Sequence, residues 1–206
     1  MQLIIASRNV HKIRELRAML KGKTTFDILS CLDFPQYTPP EETEDTFEGN
    51  ATLKALHAAR SLKQWVLADD SGLVIPALNG APGIYSARYA GPHATDADNR
   101  KKLLAQMQHL HDVQRQGYFE CVLALASPEG IKKCVKGISE GMITSKEQGS
   151  RGFGYDPLFI KHEYGKTFAE LSEEIKNRVS HRRKAIDKLL ITLQQIEAQE
   201  NPEKAP

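Results

Sequence analysis

An apolar run, Trp65-Val66-Leu67-Ala68, passes directly into two carboxylates, Asp69-Asp70, followed by Ser71-Gly72. The run reads as a buried strand that ends at the pair. Two adjacent ionised groups at the margin of a core are costly through desolvation and mutual repulsion, so the fold must bring a cation or hydrogen-bond donors to them. That demand points to a functional site; the alternative is a turn in which one side chain caps backbone amides. Hard oxygen ligands of this kind suit Mg²⁺, which commonly uses one or two carboxylates and completes its shell with water and substrate phosphate. Glu41 and Glu42, in an acidic Pro-containing loop from Pro35 to Asp45, are the candidates for a second acid, unless that loop is simply solvated.

The rest of the chain alternates strand and helix patterns. Leu3 to Ala6 read as a short buried strand, and Val10, Ile13, Leu16, Met19 and Leu20 recur at helical spacing up to Gly22. Phe26 to Cys31 form a second strand candidate, and Ala51, Ala55, Ala58, Ala59 and Leu62 line a helix from about Phe47. Thr95-Asp96-Ala97-Asp98 has the form of a capping box and opens a helix to about Met107. Tyr118 to Ala126 and Ile131 to Ile138 predict a hairpin about Ser127-Pro128-Glu129-Gly130. A Gly- and aromatic-rich loop, Gly149 to Pro157, leads to the strand Leu158-Phe159-Ile160, and Ile186, Leu189, Leu190, Leu193 and Ile196 mark a long last helix. The fold class is therefore α/β, a mixed central sheet flanked by helices. No linker divides it, so one domain over residues 1–199 is expected, with a flexible tail over 200–206.

Composition narrows the function classes. A net charge of +2 with interspersed signs argues against a bulk nucleic-acid or membrane partner and leaves a small anionic ligand open. The three cysteines, Cys31, Cys121 and Cys134, lack CxxC spacing, so neither a disulfide framework nor a thiolate zinc site is indicated, and free thiols suit the cytoplasm. The opening Met1-Gln2-Leu3-Ile4-Ile5-Ala6 is too short an apolar run for a signal or membrane segment. Asn50-Ala51-Thr52 matches a glycosylation sequon by coincidence, and His109 with His111 lacks partners for a metal.

Three further motifs carry chemistry. Ser7-Arg8-Asn9-Val10-His11-Lys12 lies where the first strand gives way to the first helix, so its amides can face phosphate oxygens while Lys12 adds charge; an ordinary cap by Ser7 or Asn9 is the alternative. Gly152-Phe153-Gly154-Tyr155-Asp156-Pro157 sets aromatic rings between glycines, suited to stacking on a planar base, or else to core packing. Ser180-His181-Arg182 begins the last helix, where donors could read a base acceptor while Lys176 adds charge; a plain basic helix start is the alternative.

Taken in order, these blocks, with Thr43, Thr46-Phe47, Leu73 and Gly80-Ala81-Pro82-Gly83-Ile84-Tyr85-Ser86-Ala87-Arg88-Tyr89, resemble the inosine triphosphatase family, the HAM1-like dITP/XTP pyrophosphatases, over nearly the whole chain. The resemblance implies an elongated, two-lobed fold shared with Maf proteins, with a central substrate cleft, a homodimer, dependence on Mg²⁺, and release of pyrophosphate from ITP, dITP and XTP. By position it implies that Ser7, Arg8, Asn9, Val10, His11 and Lys12 hold the triphosphate, that Asp70 is base and metal ligand, and that Glu41 or Glu42 assists the metal. It further implies substrate contacts from Ser71, Phe153, Gly154, Tyr155, Asp156, Lys176, His181 and Arg182, with Phe153 stacking on the base and His181 and Arg182 near its 6-oxo edge. His11, Glu44 and Asn79 stand where many members have glycine. A Maf-like enzyme with another base preference, or an RNA-binding module using His181-Arg182-Arg183-Lys184, are the rival readings.

Overall fold

The structure is a computed structural model that describes residues 1–200; the tail expected over 200–206 lies outside them, save for Glu200 as the last helical position. The elements run β1 (Gln2–Ile5), α1 (Val10–Leu20), β2 (Asp27–Ser30), α2 (Phe47–Leu62), β3 (Trp65–Val74), α3 (Asp96–Gln106), β4 (Gln116–Ser127), β5 (Gly130–Ile143), β6 (Phe159–Lys161), β7 (Lys166–Thr167), α4 (Glu173–Val179) and α5 (His181–Glu200). The seven strands form one sheet in the order β2-β1-β3-β4-β5-β6-β7. β1 pairs in parallel with β2 and β3, placing Leu3 beside Ile28 and Trp65. β6 pairs antiparallel with β5 and β7, so the sheet is mixed, as expected. Only Pro128 and Glu129 join β4 to its neighbour β5, which forces a hairpin.

One expectation is corrected. β3 does not end at Asp69-Asp70 but continues to Val74, because Leu73 is fully buried and supplies apolar anchorage beyond the acids. The carboxylates therefore sit mid-strand.

Two compact units are distinguished. The first comprises Met1–Asp70, Cys121–Gly137 and the chain from Arg182 onward, and the second Ser71–Glu120 and Ile138–His181. In the first, Leu16 and Leu20 of α1 and Ile186, Leu189 and Leu193 of α5 pack in one core with Leu67. Ala51, Ala55, Ala58 and Ala59 of α2 are wholly buried, their small size allowing close approach of the helix backbone. In the second, Leu73, Leu103, Phe119, Phe159 and Phe168 share one core, where the Phe119 ring lies 4.7 Å from that of Phe159. No helix among the described residues is long and apolar enough to cross a membrane.

Candidate active site

Consecutive strand residues point to opposite faces, and this gives Asp69 and Asp70 different fates. Asp69 shares a face with Leu67 and looks towards α1 and α5. Its Oδ1 accepts from Lys12 Nζ at 2.5 Å and its Oδ2 from Arg182 Nε at 2.8 Å. The Cys121 thiol also donates to Oδ2, at 3.3 Å. Arg182 is almost fully buried and its other limb binds Glu15, itself buried. Burial alone would raise the Asp69 pKa, but Arg182 and Lys12 outweigh it and hold the carboxyl well below the usual range. The Arg182 guanidinium is shifted upward by Asp69 and Glu15 against its own burial, so the partners agree.

Asp70 looks towards α2. Its Oδ1 accepts from Lys54 Nζ at 2.8 Å, and the same ammonium donates to Glu42 Oε1 and the Asp69 carbonyl, each at 2.8 Å. Here burial prevails: the Asp70 pKa is raised although Lys54 and Lys12 pull it down, and Glu42 adds to the rise. Asp70 is thus the stronger base of the two aspartates. Its Oδ2 is buried and accepts no hydrogen bond from any described residue. An anionic oxygen in that condition calls for a cation. Among the described residues no three His, Cys, Asp or Glu side chains converge as a closed cage. A hard divalent cation that keeps water and phosphate in its shell needs only one or two carboxylates, which Asp70 with Glu42 could furnish.

The two loop glutamates are thereby separated, since Glu42 joins this cluster through Lys54 whereas Glu41 is exposed. The loop is pinned by Asn50, whose amide donates to the Glu44 carbonyl and accepts from the Glu44 amide, both at 3.1 Å. Lys54 escaped the sequence reading, and Asn50 figured there only in a coincidental sequon. The signal for both lay in α2, where a lysine and an asparagine interrupt an otherwise alanine-lined surface.

At the start of α1, Asn9 is the N-cap: its Oδ1 accepts from the amides of His11 at 3.0 Å and Lys12 at 3.2 Å, while its own amide donates to Ser7 Oγ. The expected phosphate cradle is therefore also a helix cap, with those two amides already satisfied by Asn9. Arg8 donates to the Tyr37 carbonyl at 3.0 Å, and Val10 is exposed.

The second unit holds the aromatic loop. Lys176 Nζ binds Asp156 Oδ2 at 2.5 Å, a buried pair, and stands 4.7 Å above the Phe153 ring. Asp156 Oδ2 also accepts from the Phe153 amide at 2.9 Å. Gly152 permits this: its φ is +78°, and a Cβ there would lie 2.0 Å from Asp156 Oδ2. Gly152→Ala is accordingly expected to disrupt the Asp156–Lys176–Phe153 arrangement, seen as a rise in KM and a lowered Tm, whereas Gly22→Ala, which meets nothing within 4 Å at a comparable φ of +68°, reports the backbone penalty alone. Tyr155 is a core residue, its hydroxyl donating to the Ser86 carbonyl at 2.9 Å, while Phe153 is half-buried. His181 is buried with its ring stacked on Phe119, centroids 4.8 Å apart.

The sequence pattern of the Ham1 family matches residues 3–192. The chain belongs to the Ham1 family. It is 53% identical to the dITP/XTP pyrophosphatase of Protochlamydia amoebophila over 197 residues, which is 95% of this chain and 99% of that protein. With the dITP/XTP pyrophosphatase of Chlamydia abortus it shares 54% identity over 95% of this chain and 96% of the relative. Among solved structures, a HAM1 protein from Coxiella burnetii superposes with a TM-score of 0.86 at 38% identity, covering 95% and 99% of the two chains. The Staphylococcus aureus Ham1 protein gives 0.83 at 40%, with the same coverage.

The three positions where the resemblance implies glycine are accommodated. His11 lies in the first turn of α1, outside the positive-φ residues, so no glycine is required there. Asn79 adopts φ +52°, a left-handed conformation that asparagine tolerates better than most side chains. The side chain of Glu44 lies where a Cβ on Gly49 would fall, at 2.7 Å, so the two positions pack as a pair. The structure brings Lys12, Glu42 and Asp70 together in the first unit, and Phe153, Asp156 and Lys176 together in the second. Ser71, the residue after Asp70, opens the second unit, and Gly154 is bonded to α3 at both its amide and its carbonyl. Arg182, expected near the base, binds Asp69 and Glu15 through its guanidinium and, with Lys12, brings positive charge to these buried carboxylates. His109 and His111 are exposed.

Proposed function

We propose that this chain is a nucleoside triphosphate pyrophosphohydrolase that converts ITP, dITP and XTP to the monophosphate and pyrophosphate, clearing deaminated purines from the nucleotide pool. The observation that carries the reading is Asp70: a buried, base-shifted carboxylate with one oxygen on Lys54 and the other accepting no described hydrogen bond, in a Ham1 chain whose relatives at 53–54% identity bear the name dITP/XTP pyrophosphatase. Mg²⁺, held by Asp70 and Glu42, would neutralise phosphate charge and lower the pKa of a bound water. Asp70 accepts the proton of the attacking water, which adds to the α-phosphorus as pyrophosphate departs. Lys54 orients Asp70 and Glu42, and Lys12, fixed by Asp69, neutralises charge on the departing phosphates beside Ser7 to His11. Glu41, exposed, is left without a part in this scheme.

Phe153 offers its ring to the purine, with Asp156 and Lys176 holding its amide and one face. His181, kept in orientation by Phe119, provides the donor for an oxygen at C6; the amino group of adenine would set donor against donor, so ATP is a poor substrate. Residues 1–199 act as one catalytic domain, and the resemblance favours a cytoplasmic homodimer that takes up no nucleic acid. The test is pyrophosphate release over ITP, XTP, ATP, UTP and dTTP, with and without a chelator. ITP and XTP are expected to exceed ATP by about 10²-fold or more, and turnover to vanish with chelator and return with Mg²⁺. Equal rates on UTP would transfer the chain to a Maf-like specificity.

A further inference from the structure

We propose that Asp96 and Arg100 of α3 are positioning residues that fix Phe153 as a preformed surface for the purine, an inference that rests on the base-stacking reading of Phe153. The two residues are one helical turn apart and share a face. Asp96 Oδ2 accepts from the Gly154 amide at 2.7 Å, and Arg100 donates through one terminal nitrogen to the Gly154 carbonyl at 2.9 Å. Both polar groups of one glycine are thus gripped by a single helix. Asp96 is not needed to start that helix, because Thr95 and Asp98 already form the reciprocal capping box.

The grip falls at the second of two glycines that adopt positive φ. Phe153 lies between Gly152 at φ +78° and Gly154 at φ +60°, and a Cβ at Gly154 would meet nothing within 4 Å. No packing therefore holds Gly154 itself, although Lys176 stands over one face of the Phe153 ring. Upstream, the Phe153 amide is fixed by Asp156; downstream, Tyr155 is buried and bonded to Ser86. Between these anchors α3 holds the peptides on both sides of Gly154, and flanking glycines would otherwise leave the backbone that carries the ring many conformations to lose on binding. Holding the ring beforehand removes that ordering cost from nucleotide binding.

The experiment compares Asp96→Ala, Arg100→Met, Phe153→Ala and the double variant Asp96→Ala/Phe153→Ala, measuring KM and kcat for ITP, inhibition by pyrophosphate, which has no base, and Tm. Each clamp variant is expected to raise KM about tenfold, with kcat within about twofold and the pyrophosphate Ki unchanged. Asp96→Ala should add nothing further once Phe153 is Ala, since the clamp then has no ring to position. An additive double variant, an unchanged KM, or a pyrophosphate Ki that rises in step with KM would overturn the proposal, the last by revealing general distortion. If Phe153→Ala leaves KM unaltered, the stacking reading itself fails; if it raises KM while both clamp variants do not, the clamp alone fails.

Discussion

Asp70→Asn will reduce ITP turnover by about 10³-fold or more while leaving a folded protein that still binds nucleotide. Asn keeps the shape and can still accept from Lys54, but it cannot take a proton from water and is a far weaker ligand for a hard cation. The fold is expected to tolerate the change because burial already disfavours the charged form of Asp70, raising its pKa. A carboxyl shifted in that direction weakens stability as pH rises through the raised value, and a neutral amide removes that cost. Tm within a few degrees of wild type, together with retained ITP binding by calorimetry, would separate lost chemistry from lost structure. Near-native turnover in a folded Asp70→Asn protein would remove Asp70 from the role of base.

The neighbouring residue is expected to behave in the opposite way. Asp69→Ala leaves the buried Arg182 with Glu15 as its remaining carboxylate among the two it binds and deprives Lys12 of its anchor. Breaking a buried ion pair from one side costs about 3–5 kcal/mol, or about 6–20 °C in Tm for a chain of this size. The loss has a definite pH course. Asp69 is held well below its ordinary value of 3.8, so its contribution is complete above that value and declines as pH falls through the lowered one. The difference in stability between wild type and Asp69→Ala should accordingly be full at neutral pH and narrow only in strong acid. Chemical denaturation at pH 7 and at successively lower pH checks this; equal stability of the two proteins at pH 7 would show that the Asp69–Arg182 contact carries no net weight.

Much of the frame was legible because it is local. The 3.6-residue spacing of Ile13, Leu16 and Leu20 in α1, the alanine stripe of α2, the Thr95–Asp98 capping box and the turn after Ser127 each specify structure within a few residues, and each appears where the pattern placed it. The short β7 and α4 carried too few residues for a periodic signal. Lys54 and Asn50 were obscured for a different reason: they interrupt the alanine face of α2, but only the fold brings Lys54 to Asp70 and Glu42 and Asn50 to Glu44.

What the sequence determined by itself was therefore the set of elements, the α/β class and the family's ordered motifs, since periodicity, caps and turns act over short chain distances. Tertiary structure decided which charges meet. Asp69 and Asp70 look equivalent in the chain, yet β3 turns one towards Arg182, 113 residues away, and the other towards Lys54, 16 residues away. Strand alternation and long-range packing, not residue type, hold one carboxyl well below its ordinary pKa and raise the other.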